Sequence, residues 1–375
     1  MYYHLFEVCF FLDDYNLRLF ESGDEGELIN LLELCYGGWL KFDITCPILD
    51  YWRWKHHDNP VGPSIVVVAK KGNQIIGCNH GIPLKLKIFR DIYLCSQGTD
   101  DAVSPNFRGM GISKELQNMR LDVEKKKFWT LNYGVIGDPI LVKSYKKRYN
   151  YLPIKISNLN KVKDIELHLD MVNEKDKIFK KYGYYFLSYL NKIKISNHIS
   201  SINFDVDIID INHFDDSYDI FWNNIKNNYS FILEKNKEYL NWRYCDSRSG
   251  SYIIKIAKQG EKIVGYIILR INRYGKKYPR GYIVDLMALP NFYEVGYILV
   301  QNALRYFDKK NVNIITAYFV ENSKYENILQ TSGFMKFPNK MHIFYQHLNN
   351  DINIDELIRE DPNKIQFTMG DTDWI

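Results

Sequence analysis

The amino-acid sequence predicts an α/β chain in which one pattern of strands and helices occurs twice. Three observations lead to this prediction. The chain has 375 residues, which suits two domains of ordinary size better than one. Segments with strand-like and helix-like apolar spacing alternate along it. The sequence around residue 54 also returns around residue 242 in similar form.

Local patterns predict the individual elements in order. A helix over residues 25–36 is capped by Ser22-Gly23-Asp24 and ended by Gly37 and Gly38. A hairpin turn at Lys71-Gly72-Asn73 joins two strands. The predicted strands cover residues 17–20, 64–70, 74–81, one or two stretches within 85–95, then 99–103 and 128–135, with further helices from 112 and over 138–149.

Composition indicates a folded globular chain. Hydrophobic residues make up 46% and charged residues 25%, which excludes a disordered chain. The net charge of +4 is nearly balanced and gives no case for nucleic-acid binding by bulk charge. No stretch approaches a membrane span, and Glu7, Asp13 and Asp14 interrupt the apolar N-terminal run. We therefore expect no signal peptide and a cytoplasmic location.

The cysteines predict neither a metal site nor a disulfide framework. None of them forms a C-x-x-C motif, and no Cys/His spacing fits a zinc site. We expect free thiols in a reducing compartment. The six residues are Cys9, Cys35, Cys46, Cys78, Cys95 and Cys245.

The stretch from Asp100 to Ser113 carries the clearest binding signal. Thr99 to Val103 has the pattern of a strand end, and Pro105 stops strand pairing because proline has no N–H to donate. Arg108-Gly109-Met110-Gly111 then forms a loop, after which apolar residues recur at helical spacing. Backbone N–H groups and the positive end of the helix dipole make such a loop suited to bind phosphate.

The chain contains an internal duplication. Residues 51–62 align with residues 239–250 at a constant offset of 188. The alignment continues without a gap through a hairpin, where residues 68–77 match residues 256–265 and share both glycines. Chance does not readily produce so many ungapped matches. We therefore predict two tandem domains of one fold.

The second copy has an altered form of the phosphate loop. Pro290-Asn291-Phe292 repeats Pro105-Asn106-Phe107, but Tyr293-Glu294-Val295-Gly296 replaces Arg108-Gly109-Met110-Gly111. The first glycine is lost, and Glu294 places a carboxylate where a phosphate would bind, which is electrostatically unfavourable. The rest of the copy is intact, with a strand over 313–319 and a helix over 323–331. We expect it to serve packing, substrate binding or both.

A strand, Val-x-Pro, Arg-Gly-x-Gly-Ile and an amphipathic helix in this order resemble the acetyl-CoA pyrophosphate loop of the GCN5-related N-acetyltransferases, the GNAT superfamily. The resemblance implies an α/β (α+β) fold of two tandem GNAT-like domains, the second degenerate. Each would have a mixed, mostly antiparallel central sheet flanked by helices. It also implies acetyl-CoA as cosubstrate, in contact with Val103, Arg108, Gly109, Met110, Gly111, Ile112 and Ser113. The family usually has Gln or Arg at the position of Asn106.

The same resemblance implies roles in catalysis. In the family a backbone N–H of the fourth strand holds the thioester carbonyl, here at Val103 or its neighbours, and a nearby carboxylate serves as base. Asp100 and Asp101 fit that description, but strand alternation lets at most one face the cleft, and we name Asp101 as catalytic. The family's proton donor to the thiolate is a Tyr on the helix over 138–149. Tyr145 is preferred, although Tyr149 remains open because Tyr145 lies one residue early.

Histidine is a further possibility near the site, at His56, His57 or His80, although a lone histidine is more often structural. Direct attack by an amine on acetyl-CoA needs no metal, and we predict none.

The duplication and the loop together predict the domain organisation. Residues 1–155 form the N-terminal, acetyl-CoA-binding domain, and residues 156–203 a largely helical connecting segment. Residues 204–348 form the degenerate second domain. The tail, residues 349–375, ends in Trp374 and Ile375, which indicates a segment docked into the fold.

The leading functional hypothesis is an acetyl-CoA-dependent N-acetyltransferase. Its acceptor would be a primary amine of a small molecule such as an amino sugar, a polyamine or an amino acid derivative. One alternative is an aminoacyl transferase of the tandem peptidoglycan type, which generally lacks the glycine loop. Another is a non-catalytic acyl-CoA-binding module. No nucleic-acid partner and no membrane span are expected, and the oligomeric state is left open.

Overall fold

The structure is a computed structural model. It describes residues 15–39, 42–137, 142–143, 149–169, 205–273, 278–349 and 352–373. The elements of the first half are β1 (Asn16–Leu19), α1 (Glu25–Tyr36), α2 (Ile48–His56), β2 (Ile65–Lys71), β3 (Gln74–Ile88), β4 (Asp91–Val103), α3 (Ile112–Lys126), β5 (Leu131–Ile136), β6 (Asn150–Tyr151), β7 (Ile156–Val162) and α4 (Ile165–Leu169).

The second half repeats this order and ends in a tail of short turns. Its elements are β8 (Asp207–Ile211), α5 (Asp216–Ile225), β9 (Phe231–Leu233), α6 (Lys237–Leu240), β10 (Tyr252–Gln259), β11 (Lys262–Asn272), β12 (Arg280–Ala288), α7 (Tyr293–Lys309), β13 (Ile314–Val320), α8 (Lys324–Thr331) and β14 (Met335–His347). Three 3-10 turns, Ile354–Arg359, Pro362–Lys364 and Met369–Asp371, make up the tail.

One continuous sheet runs through both halves. Its order is β1-β2-β3-β4-β5-β14-β7-β13-β12-β11-β10-β8, with β6 beside β14 and β9 beside β3. The pairs β4–β5 and β12–β13 are parallel, and the other described pairs of named strands are antiparallel. The predicted α/β (α+β) class, with a mixed, mostly antiparallel sheet flanked by helices in each half, is confirmed.

Strand alternation explains how β2 holds a helix on each face. Its side chains point to opposite faces in turn. One buried set joins α1 and α2 to the sheet through Leu28, Leu32, Trp52, Val66 and Val68. The other set joins α3 to the opposite face through Val67, Ala69, Ile76, Ile112 and Leu116. Because β2 is apolar on both faces, it is buried as a central strand.

The two halves exchange strands at the middle of the sheet. β7, which follows the first half in sequence, pairs with β13 of the second half along its full length. The beginning of β14 pairs with β7, and its end, His342–His347, pairs with β5. The predicted helical connecting segment therefore begins with a strand, because β7 finds backbone partners on both sides. Residues 170–203 of that segment lie outside the described residues.

A symmetrical tryptophan pair joins the halves. Trp54 and Trp242 occupy equivalent positions of the duplication, and each indole N–H donates to the other residue's backbone oxygen, at 2.8 and 2.9 Å. Their rings stack with centroids 5.1 Å apart. Residues that are 188 positions apart thus meet across an approximate two-fold relation, as a duplicated domain packing against its copy requires.

Within the described ranges, no helix is both long and apolar enough to cross a membrane. Cys35, Cys46, Cys78, Cys95 and Cys245 are free thiols, and Cys9 lies outside these ranges.

The tryptophan pair yields a stability prediction. Trp54→Ala removes a ring that is 1% exposed and leaves the Trp242 carbonyl without its indole donor. We expect the free energy of unfolding to fall by about 3–5 kcal/mol, as for other buried Trp→Ala changes. Chemical denaturation measures it. Ile220→Ala, at a residue 64% exposed on α5, is the control and should change it by less than about 0.5 kcal/mol. Equal effects of the two substitutions would contradict this account of the interface.

Candidate functional site

β4 carries a bulge where the sequence has its two adjacent aspartates. The register against β3 shifts between Cys78 and His80, so Asp100 and Asp101 together oppose Asn79. Asp100 has a left-handed backbone with φ 48°. A bulge adds one residue to a strand and re-aims its side chains. As a result the two carboxylates have different surroundings, and only that of Asp101 opens to the crevice described next.

A crevice opens between β4 and β5. Their parallel pairing ends at Gln97 and Tyr133, although β4 continues to Val103 and β5 to Ile136. Strands that separate within a sheet leave facing edges whose backbone groups need other partners. The side chains and backbone that line this opening include Gly98, Asp101, Gln117, Arg120, Tyr133 and Tyr149.

The glycine loop lies between the end of β4 and the beginning of α3. Gly109 and Gly111 have φ values of 84° and 89°, a conformation that L side chains rarely adopt. A Cβ atom on either glycine would have no atom within 4 Å, so the space beside the loop is open. The glycines therefore provide both the backbone shape and free room for a ligand to approach.

The backbone of the loop leaves donors at the helix N-terminus. The N–H groups of Lys114 and Glu115 both donate to Gly111 O, at 3.0 and 3.2 Å. The N–H groups that precede them in the first turn have no intrahelical acceptor, and the helix dipole adds positive potential there. Arg108 turns back on the strand, where its Nε donates to Val103 O at 3.1 Å. The loop thus fits a phosphate group, with Arg108 fixing its base.

Asp101 is held by a polar network beneath the crevice. The Asn79 amide donates to the Asp101 carboxylate, and Arg120 donates to Asn79. Arg120 forms an ion pair with Glu124, one turn along α3, and both side chains are fully buried. A Cβ atom at Gly81 would overlap Glu124, so β3 needs glycine there. The network fixes the position of the Asp101 carboxylate from below.

The surroundings of Asp101 suit a base that works near neutral pH. Protein that encloses its carboxyl group removes bulk water, and with the nearby negative charges of Asp100 and Asp373 this raises the pKa of Asp101 to about 7. The Arg120 charge acts in the opposite direction. Because the residue remains open to solvent on the crevice side, a ligand can reach it.

Asp100 lies in a buried charged cluster on the other side of β4. Its carboxylate accepts from Lys55 Nζ at 2.7 Å and from Trp39 Nε1 at 2.9 Å, and it lies 3.0 Å from His56 Nε2. Burial alone would raise the pKa of Asp100, but the Lys55 ammonium and the His56 hydrogen bond hold it well below its usual range. Asp100 therefore stays ionised and paired with Lys55, and it does not act as a base.

The two histidines of this cluster are neutral. Burial lowers the pKa of His56, and burial together with neighbouring His56 lowers the pKa of His80 well below its usual value. Trp52 Nε1 donates to His80 Nε2 at 3.2 Å, so the proton of the His80 ring is on Nδ1, which lies 3.2 Å from Asp100 O. Both rings pack against the bulge. Within the described ranges, no group of three His, Cys, Asp or Glu side chains could hold a metal ion.

The C-terminal tail reaches this cluster. Its residues 365–372 are buried. Asp371 O accepts from Tyr133 at 3.2 Å, and Thr372 O accepts from Arg243 at 2.8 Å. Asp373 then accepts a hydrogen bond from Thr99 and lies 3.7 Å from Lys55 Nζ. The tail is docked between the halves, up to the last described residue.

In the second half, a helix replaces the loop. Pro290–Phe292 forms the same 3-10 turn as Pro105–Phe107, but α7 begins directly at Tyr293, the position equivalent to Arg108. Gly296 lies inside α7, where a Cβ atom would be 2.9 Å from Ile328 Cδ1, so this glycine serves helix packing. The open glycine loop of the first half has no counterpart here.

Apart from Tyr145, the site residues predicted from the sequence lie on β4, on the loop that follows it and at the beginning of α3. Of these, Asp101 lines the crevice, whereas Tyr145 lies outside the described residues. Tyr149 is described, and its hydroxyl donates to Gln117 across the crevice. Sequence reasoning missed a group of charged and polar residues beside β4. Local signals existed for only some of them, namely the aromatic run before Lys55 and the i,i+4 spacing of Arg120 and Glu124. The group consists of Lys55, Asn79, Arg120, Glu124 and Asp373.

The family model "Acetyltransferase (GNAT) family" matches residues 214–328. The match falls on the second half, which keeps the strand and helix order but not the glycine loop. A comparison with curated proteins gives no match.

Solved structures share the fold over most of the chain. A probable N-acyltransferase from Enterococcus faecalis V583 has a TM-score of 0.59 at 12% identity, covering 89% of this chain and 73% of its own. N-myristoyltransferase from Saccharomyces cerevisiae with bound myristoyl-CoA and inhibitors has 0.58 at 11%, covering 89% and 80%. A tandem GNAT protein from the clavulanic acid biosynthesis pathway has 0.57 at 10%, covering 90% and 100%. Residues 214–328 therefore match the acetyltransferase (GNAT) family, and the chain as a whole shares the fold of a tandem GNAT protein.

Proposed function

We propose that the chain is an acetyl-CoA-dependent N-acetyltransferase with one cofactor site, in the crevice of the first half. The acceptor is a primary amine of a small molecule. One observation carries the proposal. The crevice between β4 and β5 is open beside a glycine loop, whereas the equivalent crevice between β12 and β13 is occupied by the chain's own tail and has no such loop.

The first crevice fits the cosubstrate. The loop from Arg108 to Ser113 would hold its pyrophosphate by backbone N–H groups, and the separated edges of β4 and β5 would bind the pantetheine amides. When bound there, acetyl-CoA supplies an acyl group activated as a thioester. The β4 backbone at Val103 would then hold the thioester carbonyl.

The remaining chemistry falls to side chains of this chain. Asp101 accepts a proton from the incoming ammonium, directly or through a water molecule, so that the amine attacks as a neutral nucleophile. Its pKa of about 7 makes both protonation states accessible near neutral pH. Tyr145 or Tyr149 returns a proton to the departing sulfur; of the two, Tyr149 lines the crevice.

The loop assignment predicts a binding defect. Gly109→Glu copies the glutamate of the second half, forces a side chain onto a φ of 84°, and puts a negative charge beside the phosphate site. We expect CoA to bind about tenfold more weakly or worse, which equals about 1.4 kcal/mol. Isothermal titration calorimetry with CoA measures this.

Gly260→Glu is the matched control for that variant. Gly260 also has a positive φ, 58°, and open space around its Cβ position, but it lies in the hairpin turn between β10 and β11. Its CoA affinity should equal that of the unmodified chain. If Gly109→Glu and Gly260→Glu bind CoA equally well, the pyrophosphate does not bind at this loop.

The role of Asp101 predicts a pH profile. Its carboxylate must be deprotonated to act as base, so the rate should rise with pH through about 7, the pKa of Asp101, and level off above it. Asp101→Asn should lower kcat about 10²–10⁴-fold, remove this rise, and leave CoA binding unchanged. Thiol release, followed with the best amine from a panel, reports the rate.

Asp122→Asn, at an exposed aspartate of α3, serves as control and should keep both the rate and the pH profile. A profile of Asp101→Asn that still rises near neutral pH would assign the base to another group.

A further inference from the structure

The crevice of the second half is occupied by the C-terminal tail of the same chain. β12 and β13 pair in parallel only up to Ile283 and Ala317, as β4 and β5 do in the first half. The tail fills the opening beyond that point. Ile365 bridges to Phe231, and the Gln366 side chain donates to Leu286 O of β12 at 3.3 Å. The tail thus lies against the strand edge that the separation exposes.

The contacts between tail and crevice are close. A Cβ atom at Gly370 would overlap the Tyr244 hydroxyl and lie 3.3 Å from Val284 O of β12, so only glycine fits there. Thr368 and Asp371 form a capping box, which holds the turn rigid. Thr368 Oγ1 also donates to Asp285 at 3.3 Å. This is the fit of a specific ligand rather than of a loosely packed terminus.

The buried ammonium group of Lys235 is paired with a carboxylate from the tail. Lys235 is 1% exposed, and its Nζ lies 2.8 Å from Asp285 and 2.9 Å from Asp371. Burial alone would lower the pKa of Lys235, but the two carboxylates outweigh it and raise the pKa above its usual value. A buried ammonium is stable only with its counter-charges in place. Asp371 is the counter-charge that comes from the tail.

The tail also lines a pocket that borders the first half. Beyond Asp371 the chain crosses to the pocket between the halves, where Asp373 contacts Thr99 and faces Lys55. This pocket is lined by Lys55, Tyr133, Tyr239, Trp242 and Asp373. Tyr133 also belongs to the wall of the first crevice, and its hydroxyl donates to the tail. The tail is therefore one wall of a pocket that adjoins the proposed acyl site.

We propose that the second crevice is a peptide-binding site whose ligand is the chain's own segment 365–373, and that this docking builds the acceptor pocket of the first half. The second half then acts in catalysis by holding a peptide instead of a cofactor. This inference rests on the proposed acetyltransferase function for its catalytic part, and on the tail contacts alone for its binding part.

The test uses the full chain with Gly370→Val, which displaces the tail by overlap with Tyr244 and Val284. We expect CoA binding to be retained, and the rate of amine acylation to fall about 100-fold, since loss of one wall misplaces the acceptor. A fluorescent peptide of residues 363–373, amidated at its end, should bind this variant saturably, should not bind the unmodified chain, and should restore the rate. The same peptide carrying Gly370→Val should do neither.

Gly26→Val is the matched control. Gly26 is exposed on α1 and has no atom within 4 Å of its Cβ position. It should acylate at the rate of the unmodified chain. If circular dichroism shows that Gly370→Val does not fold, Asp371→Asn replaces it, because this change removes one charge from the Lys235 cluster and keeps the side-chain size.

The two proposals fail in different ways. Normal acylation by a folded variant with a displaced tail, or a peptide that does not bind it, would overturn the inference about the tail. If the peptide binds as expected but no amine is acylated by the unmodified chain, the peptide site stands and the acetyltransferase function is overturned.

Discussion

The separation of two parallel strands is the constraint on which this structure depends. Each half pairs its fourth and fifth strands for three or four residues and then lets them diverge. Strand edges that face each other across a gap need hydrogen-bonding partners from elsewhere. The second half meets this need with the tail and with Tyr325, whose hydroxyl accepts from Ala288 N at 2.9 Å. In the first half the gap is followed by an open glycine loop, and this pair of features is the basis of the proposed cosubstrate site.

The same contrast appears in the charges near the bulge of β4 and near the matching register shift of β12, which lies between its pairings with Ile268 and Leu269. Asp100 and Asp285 are both buried and both pair with a buried lysine, Lys55 or Lys235. The tail adds Asp373 beside Lys55 and Asp371 beside Lys235. The tail therefore contacts both halves at once. Through the tail, the second half can influence the first half without binding a cofactor itself.

Much of this architecture could be predicted from the sequence, because local residue patterns indicate its strands, turns and helices. The glycines at 109 and 111, the apolar spacing from Ile112 and the offset of 188 led to the fold class and to the loop that precedes α3. The exchange of β7 and β14 could not be predicted, since alternation identifies a strand but not its partner. The contacts of Asp373 and of the Lys55 cluster join residues that are far apart in sequence. Periodic spacing of residues gives no indication of such contacts.

The central claim is that the chain binds one acyl-CoA, between β4 and β5, while its tail keeps the equivalent crevice of the second half closed. A crystal structure of the full chain grown with CoA tests this most directly. The account predicts pyrophosphate density at the backbone of residues 109–113, pantetheine density between β4 and β5, and residues 365–372 still in place beside β12. CoA density between β12 and β13, with the tail displaced from Lys235, would contradict it.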